Sequence, residues 1–270
     1  MADHRADHRA KGPWRRFLDQ PVESRGKTIL VAFLVSAICA LGVTTATAIL
    51  RPIQAANRAA EEQLRLEALL AAIPGMADAL ASGAGGALST VVIDIDRGGV
   101  ADGVGPADLP AALEDPANWT RLPPEADLAG IGARPDLAQV YFLREGGQVT
   151  LVVLPLVGAG YNGPIRAMLA LGGDMNTVAG FTIIDQSETP GLGARITEQA
   201  WQEGFAGKDL RTSGGDLRFQ VARGPASSDF EVDGITGATR TSGAITRMIR
   251  FWVGPEGYGP FLDAVRRGEF

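Results

Sequence analysis

Histidine and cysteine are almost missing from this 270-residue sequence. The histidines are His4 and His8, the single cysteine is Cys39, and the chain from Arg51 onward contains neither residue type. That part therefore has no zinc site built on histidine and cysteine, no iron–sulfur ligation, no cysteine nucleophile and no Ser-His-Asp triad. Redox chemistry there must be carried by a bound group.

Excess positive charge is also missing. The formal net charge is −6, which gives a role in nucleic-acid binding no electrostatic support. The sequence has no G-x-G-x-x-G after a predicted strand, so this chain is not expected to bind NADH. With one cysteine it forms no intrachain disulfide, and cysteine usage does not report the redox compartment. We predict no catalytic acid, base or nucleophile and no metal ligand.

Charge is absent from the run Thr28–Leu50, TILVAFLVSAICALGVTTATAIL. Its 23 residues would span about 34 Å as a helix, enough to cross a bilayer core of about 30 Å. A cleaved signal peptide is the alternative, but its apolar region is usually shorter and is followed by a small-residue cleavage site. Residues 1–27 hold seven lysines and arginines, so the positive-inside rule predicts a cytoplasmic N-terminus and a periplasmic remainder.

After the span, the sequence predicts a juxtamembrane helix over residues 51–80 and a single domain over 81–270. The predicted strands are Leu88–Ile95, Gln139–Arg144, Val149–Pro155, Ile165–Leu171, Val178–Asp185 and Leu217–Ala222. The predicted helices are Glu198–Phe205 and Ser242–Val253, and residues 96–136 are expected to form loops with a short helix. Because strands and helices do not alternate, we expect an α+β fold with a mainly antiparallel sheet and flanking helices.

One segment has the residue types of an anion site. Asp233–Ser242 reads DGITGATRTS and directly precedes the amphipathic helix. Its glycines free the backbone, its threonines and serine supply hydroxyls, and the start of a helix favours an anion. A phosphate bound there, or esterified to a threonine, would be stabilised, although such a segment on its own is usually just a turn and a helix cap.

Two further segments accompany it. Asn176–Ile196 contains ETPGLG after a strand, and the chain ends FWVGPEGYGPFLDAVRRGEF. Together with DGITGAT, these segments resemble the C subunits of the Na+-translocating NADH:quinone oxidoreductases. ETPGLG and TGAT are shared with the related G subunit of the Rnf complex, and the C-terminal segment favours the sodium pump.

The resemblance implies particular residues. The last threonine of TGAT, Thr239, would form a phosphoester with FMN. The sequence recognised by a dedicated flavin transferase matches Asp233, Gly234, Thr236, Gly237 and Ala238. The ETPGL segment would lie beside the flavin, with Glu188, Thr189, Gly191 and Leu192 as candidate contacts. Tyr161 is a weaker candidate contact.

The resemblance also implies a function. The chain would be an electron-transfer subunit of an enzyme complex in the inner membrane, relaying electrons from NADH to quinone with sodium export, together with the other subunits. Two alternatives remain at this point. One is the Rnf subunit, which would use the same flavin between ferredoxin and NAD, and the other is a membrane-anchored assembly module without a cofactor.

Overall fold

A computed structural model describes residues 28–45 and 88–270. The predicted basic tail over 1–27 and the juxtamembrane helix over 51–80 lie outside the described residues. Helix α1, Thr28–Thr45, has a mean hydropathy of 2.2. Its 18 residues are about 27 Å long, which makes it long and apolar enough to cross a membrane. The last five residues of the predicted span, 46–50, are not among those described.

The described residues from Leu88 to Phe270 form ten strands and four helices. The strands are β1 (Leu88–Asp94), β2 (Gly99–Val100), β3 (Trp119–Arg121), β4 (Ala133–Pro135), β5 (Leu137–Glu145), β6 (Gln148–Ala159), β7 (Pro164–Gly172), β8 (Val178–Asp185), β9 (Gln220–Val221) and β10 (Glu231–Val232). The helices are α2 (Leu109–Ala112), α3 (Gln199–Glu203), α4 (Thr239–Trp252) and α5 (Gly259–Arg266), with 3₁₀ turns at Pro116–Asn118 and Gly193–Thr197.

Six strands form one sheet in the order β2-β1-β5-β6-β7-β8. Every pairing in it is antiparallel. The β5–β6 hairpin turns at Gly146 and Gly147, whose φ angles of 59° and 86° suit glycine far better than other residues. The sheet confirms the predicted α+β class and its mainly antiparallel character.

Helix α4 packs against the inner face of this sheet. Its apolar residues at the helical spacing i, i+3, i+4 and i+7, which are Ile245, Met248, Ile249 and Trp252, are at most 2% exposed. The helix approaches β6 so closely that a Cβ at Gly158 would lie 2.9 Å from the Cβ of Met248. A glycine in a strand interior is typical of such a close approach, and here it sets how near α4 lies to the sheet.

The second half of β6 has a strand partner on one side only. Its pairing with β5 ends at Val153, whereas its pairing with β7 continues to Ala159. Two aromatic side chains bond to carbonyls of this half. Trp252 Nε1 donates to the Val157 carbonyl (2.7 Å) and the Tyr258 hydroxyl donates to the Pro155 carbonyl (2.8 Å). The two rings stack with centroids 5.0 Å apart, and burial raises the pKa of the Tyr258 phenol.

Several boundaries differ from those predicted. Helix α4 begins three residues earlier, at Thr239, and the strand predicted over Leu217–Ala222 is reduced to Gln220–Val221. Helix α5 was not predicted, because its eight residues are too few for a clear helical repeat and a Gly-Pro pair opens it. Residues 96–136 contain β2, β3 and β4 besides the expected short helix.

Candidate functional site

Three distant segments meet around a pocket of about 320 Å³. They are the β6–β7 turn at Tyr161, the loop after β8 and the start of α4. The loop contributes Glu188, Thr189, Leu192 and Gly193, and the start of α4 contributes Gly237, Ala238, Thr239, Arg240 and Thr241. The volume is at the low end of the range for small-molecule sites.

Thr239 is the first residue of α4, and its side chain is exposed at this pocket. Ala238 occupies the N-cap and has no side chain that accepts a hydrogen bond, so the first amides of the helix have no cap from that position. Gly237 precedes it with a φ of +80°, which reverses the chain into the helix. Uncapped amides and the helix dipole suit an anionic group beside the Thr239 hydroxyl.

Glu188 lies beneath the pocket and is only 4% exposed. Its Oε1 accepts hydrogen bonds from the amides of Tyr161 (2.6 Å) and Asn162 (3.2 Å), and its Oε2 accepts one from the Thr241 hydroxyl (2.6 Å). One carboxylate therefore bonds to both of the other segments that form the pocket.

The rest of the ETPGLG loop forms one wall. Thr189 Oγ1 accepts a hydrogen bond from the Asn162 side-chain amide (2.9 Å). Gly191 has a φ of +75° and makes the loop turn. Leu192 stays 45% exposed and lies against Gly237, where an added Cβ would be 3.0 Å from Leu192 Cδ2. An exposed leucine over the pocket suits packing against a flat apolar ligand.

An aromatic and a cationic side chain also line the pocket. The Arg240 guanidinium lies 5.1 Å from the centroid of the Tyr161 ring, within the range of a cation–π contact. Tyr161 is nevertheless 56% exposed. The pocket therefore offers a positive charge next to Thr239 and an aromatic face.

Of the nine residues predicted for the site, the structure places some around the pocket and others outside it. Six line the pocket: Glu188, Thr189, Leu192, Gly237, Ala238 and Thr239. Thr236, Gly191 and Asp233 do not. Asp233 supports the neighbouring loop instead, since its Oδ1 accepts a hydrogen bond from the Ala226 amide (2.6 Å) and its carbonyl accepts one from Trp201 Nε1 (2.8 Å).

Sequence reasoning gave no role to Gly193 and no particular role to Thr241, although both line the pocket. Gly193 is the second glycine of ETPGLG. A second glycine in so short a loop was the sequence signal that could have indicated a close approach of the backbone. Thr241 stood in a segment rich in hydroxyls, and nothing local distinguished it from its neighbours.

Two larger cavities exist among the described residues. A polar groove of about 680 Å³ lies on the other side of Thr239, between α4 and the chain around β9, and includes Arg223 and Arg247. A mainly apolar cavity of about 890 Å³ is lined by none of the nine predicted residues. The smallest of the three is the best match for a flavin ring, because it joins an aromatic and an apolar wall to the Thr239 hydroxyl.

The fold and the pocket together are those of a flavin-binding domain. A family model described as the FMN-binding domain matches residues 160–254. That range begins at the β6–β7 turn and ends just after α4, so it contains all three segments of the pocket. The C subunit of the Na(+)-translocating NADH-quinone reductase of Pseudomonas aeruginosa is 34% identical over 256 residues, 92% of this chain and 98% of its own. This chain belongs to that family of C subunits.

Other relatives agree. The C subunit of Pasteurella multocida is 34% identical over 91% of this chain and 96% of its own. The crystal structure of Shewanella oneidensis NqrC superposes with a TM-score of 0.62 at 26% identity, over 71% of this chain and 88% of that one. The C subunit of Parabacteroides distasonis shares the fold at 22% identity, with a TM-score of 0.51 over 80% of this chain and 96% of that one. The predicted family is confirmed.

Proposed function

We propose that this chain is the FMN-carrying electron-transfer subunit of a Na(+)-translocating NADH-quinone reductase, and that its FMN is esterified to Thr239. The observation that carries the proposal is the exposed Thr239 hydroxyl at the uncapped start of α4, on the edge of a pocket built from the segments that the FMN-binding domain model matches. The other subunits of the complex are its partners.

The residues of the pocket fit the parts of FMN. The first-turn amides of α4 and the Arg240 guanidinium suit the phosphate. Leu192 and Tyr161 offer apolar and aromatic surface to the ring, and the Thr189 hydroxyl offers it a hydrogen bond. When bound, FMN would supply one- and two-electron transfer. The chain's own task is to hold the flavin in place.

Attachment to Thr239 requires an activated donor, because a phosphoester does not form readily from a free phosphate in water. The donor class is a flavin nucleotide whose phosphate belongs to a phosphoanhydride. The Thr239 oxygen forms a bond to the flavin-side phosphorus, and the anhydride P–O bond breaks. The remaining nucleotide leaves with the electron pair, and the hydroxyl proton passes to a base of a flavin transferase, the partner that we propose for maturation.

The test is to co-express the full chain with a flavin transferase, denature it and look for flavin fluorescence in the gel. We expect a fluorescent band whose flavin peptide, identified by mass spectrometry, contains Thr239. A dark band, with the transferase active on a control substrate, would refute the covalent flavin and favour an assembly module without a cofactor.

We also propose that α1 anchors the chain as a single span, with a cytoplasmic N-terminus and a periplasmic main domain. The support is the apolar helix and the seven basic residues within 1–27. A reporter enzyme that is active only in the periplasm should be active when fused to the C-terminus. A fluorescent protein that folds only in the cytoplasm should be dark there, and the reverse pattern would contradict this topology.

A further inference from the structure

We infer that Glu188 is a positioning residue, which joins the three segments of the pocket and thereby fixes Thr239 for flavin attachment. This inference rests on the function proposed above. The sequence resemblance suggested a direct contact between Glu188 and the flavin. The geometry points to a different role, because the carboxylate is directed into the protein and its oxygens are occupied by hydrogen bonds from this chain.

The bonds of Glu188 join segments far apart in the sequence. Tyr161 is 27 residues before it and Thr241 is 53 residues after it. A buried carboxylate costs free energy unless donors surround it. Here the donors are two main-chain amides and a hydroxyl, and no ion pair of Glu188 occurs among the described residues. Such an arrangement fixes geometry more than it adds stability.

The backbones of two glycines, Gly160 and Gly193, pack directly against the Glu188 carboxylate. A Cβ at Gly160 would run into Glu188 Oε1, and a Cβ at Gly193 would lie 2.7 Å from Oε2 and 2.6 Å from Thr241 Oγ1. All three contacts are closer than real Cβ atoms show. The chain therefore packs tightly around the carboxylate on two sides, and its hydrogen bonds are held in one arrangement.

The bond to Thr241 sets the rotation of α4. Each residue of a helix is rotated by about 100° from the one before it, so side chains two residues apart point to nearly opposite sides. Thr241 is 2% exposed and faces Glu188, so Thr239 is turned outward, where its side chain is exposed. If Thr241 is released, the first turn of α4 is free to rotate or fray, and the Thr239 hydroxyl loses its fixed direction.

Asp174 offers a control carboxylate with the same kinds of hydrogen-bond donor, on an exposed residue. Its Oδ1 accepts hydrogen bonds from the amides of Asn176 and Thr177, both 2.9 Å, and its Oδ2 accepts one from the Thr177 hydroxyl (2.6 Å). This is the same set of donors that Glu188 has. Partial burial acts to raise the pKa of the Asp174 carboxyl, but these hydrogen bonds outweigh it and the pKa is lowered. Asp174 lies at the other end of β7, about 26 Å away along the strand.

The experiment measures two quantities on the full chain in detergent. One is the initial rate of covalent flavin formation with the transferase and a flavin dinucleotide. The other is hydrogen exchange of the amides in the unlabelled protein. The variants are Glu188→Ala, Glu188→Gln, Thr241→Val, Thr241→Ser and, as the control, Asp174→Ala.

For Glu188→Ala we expect the attachment rate to fall about tenfold to a hundredfold, since a displacement of about 1 Å has that effect on a reaction rate. Exchange should become faster at Tyr161, Asn162 and the first turn of α4, and stay unchanged in the six-stranded sheet. Glu188→Gln should recover part of the loss, because its amide oxygen still accepts from the two main-chain amides. Asp174→Ala should speed exchange at Asn176 and Thr177 while attachment keeps the wild-type rate.

Attachment at the wild-type rate in Glu188→Ala would overturn the inference. If that variant does not fold, the Thr241 pair decides, because both variants keep Glu188. Thr241→Val should slow attachment, Thr241→Ser should restore it, and equal rates would refute the role. If the wild-type protein itself acquires no covalent flavin, the proposed function fails. Exchange at the start of α4 in the Glu188 variants then decides the inference independently, and unchanged exchange there would refute it.

Discussion

Replacing Thr239 with alanine should remove all covalent flavin and leave the domain folded. The hydroxyl is the atom that would form the ester, and alanine has no oxygen at that position. The side chain is exposed, and alanine is a good helix former, so the free energy of unfolding should change by less than about 0.5 kcal/mol. The measurement is in-gel flavin fluorescence, together with thermal melting of the same preparation.

Two variants make this result specific. Thr239→Ser keeps a hydroxyl and should restore a covalent flavin band. Thr197→Ala changes an exposed threonine at the end of the 3₁₀ turn, outside the proposed site, and should label like the wild-type protein. Covalent flavin retained in Thr239→Ala would show that another residue carries the ester, and the assignment of Thr239 would be wrong.

Replacing Trp252 with alanine should cause the largest loss of stability among these changes. Trp252 is 2% exposed, stacks on Tyr258 and donates a hydrogen bond to the Val157 carbonyl. Truncating a buried tryptophan to alanine costs about 3–5 kcal/mol. For a domain of this size that lowers the melting temperature by roughly 10 °C. The measurement is thermal unfolding of the full chain, followed by circular dichroism.

Trp252→Phe separates the ring from its hydrogen bond. Phenylalanine keeps most of the apolar surface but leaves the Val157 carbonyl without this donor, so about 1–3 kcal/mol should be lost. The phenylalanine variant should therefore melt between the wild-type protein and Trp252→Ala. A melting temperature for Trp252→Ala within about 2 °C of wild type would mean that this contact does not hold α4 against β6.

The structure explains the aromatic residues of the C-terminal segment. The sequence alone presented FWVG and GYGPFL as a resemblance, without saying what the aromatic residues do. In the structure, Trp252 and Tyr258 satisfy carbonyls along the half of β6 that β5 leaves unpaired. These hydrogen bonds are needed because β6 extends beyond the end of its pairing with β5. Both strands lie far earlier in the chain, so no pattern within the C-terminal segment reveals the difference.

The strongest predictions were those carried by local patterns. Five strands of the main sheet were predicted from short, mainly apolar runs, because such runs depend on neighbouring residues. The apolar face of α4 followed from helical spacing. The start of α4 was missed by three residues, since the helix begins at Thr239 without a capping side chain to mark it.

By itself, the sequence determined the chemistry available to this chain. It limited redox activity to a bound group, it placed threonines after a Gly-Ala pair just before a predicted helix, and it predicted five of the six strands of the main sheet. Only the tertiary structure decided which residues meet. It turned Thr239 outward and Thr241 inward, moved Asp233 away from the pocket, and placed Glu188 between two segments 27 and 53 residues away. The physical reason is that hydrogen bonds and close packing depend on distance in space, whereas a sequence pattern reports only distance along the chain.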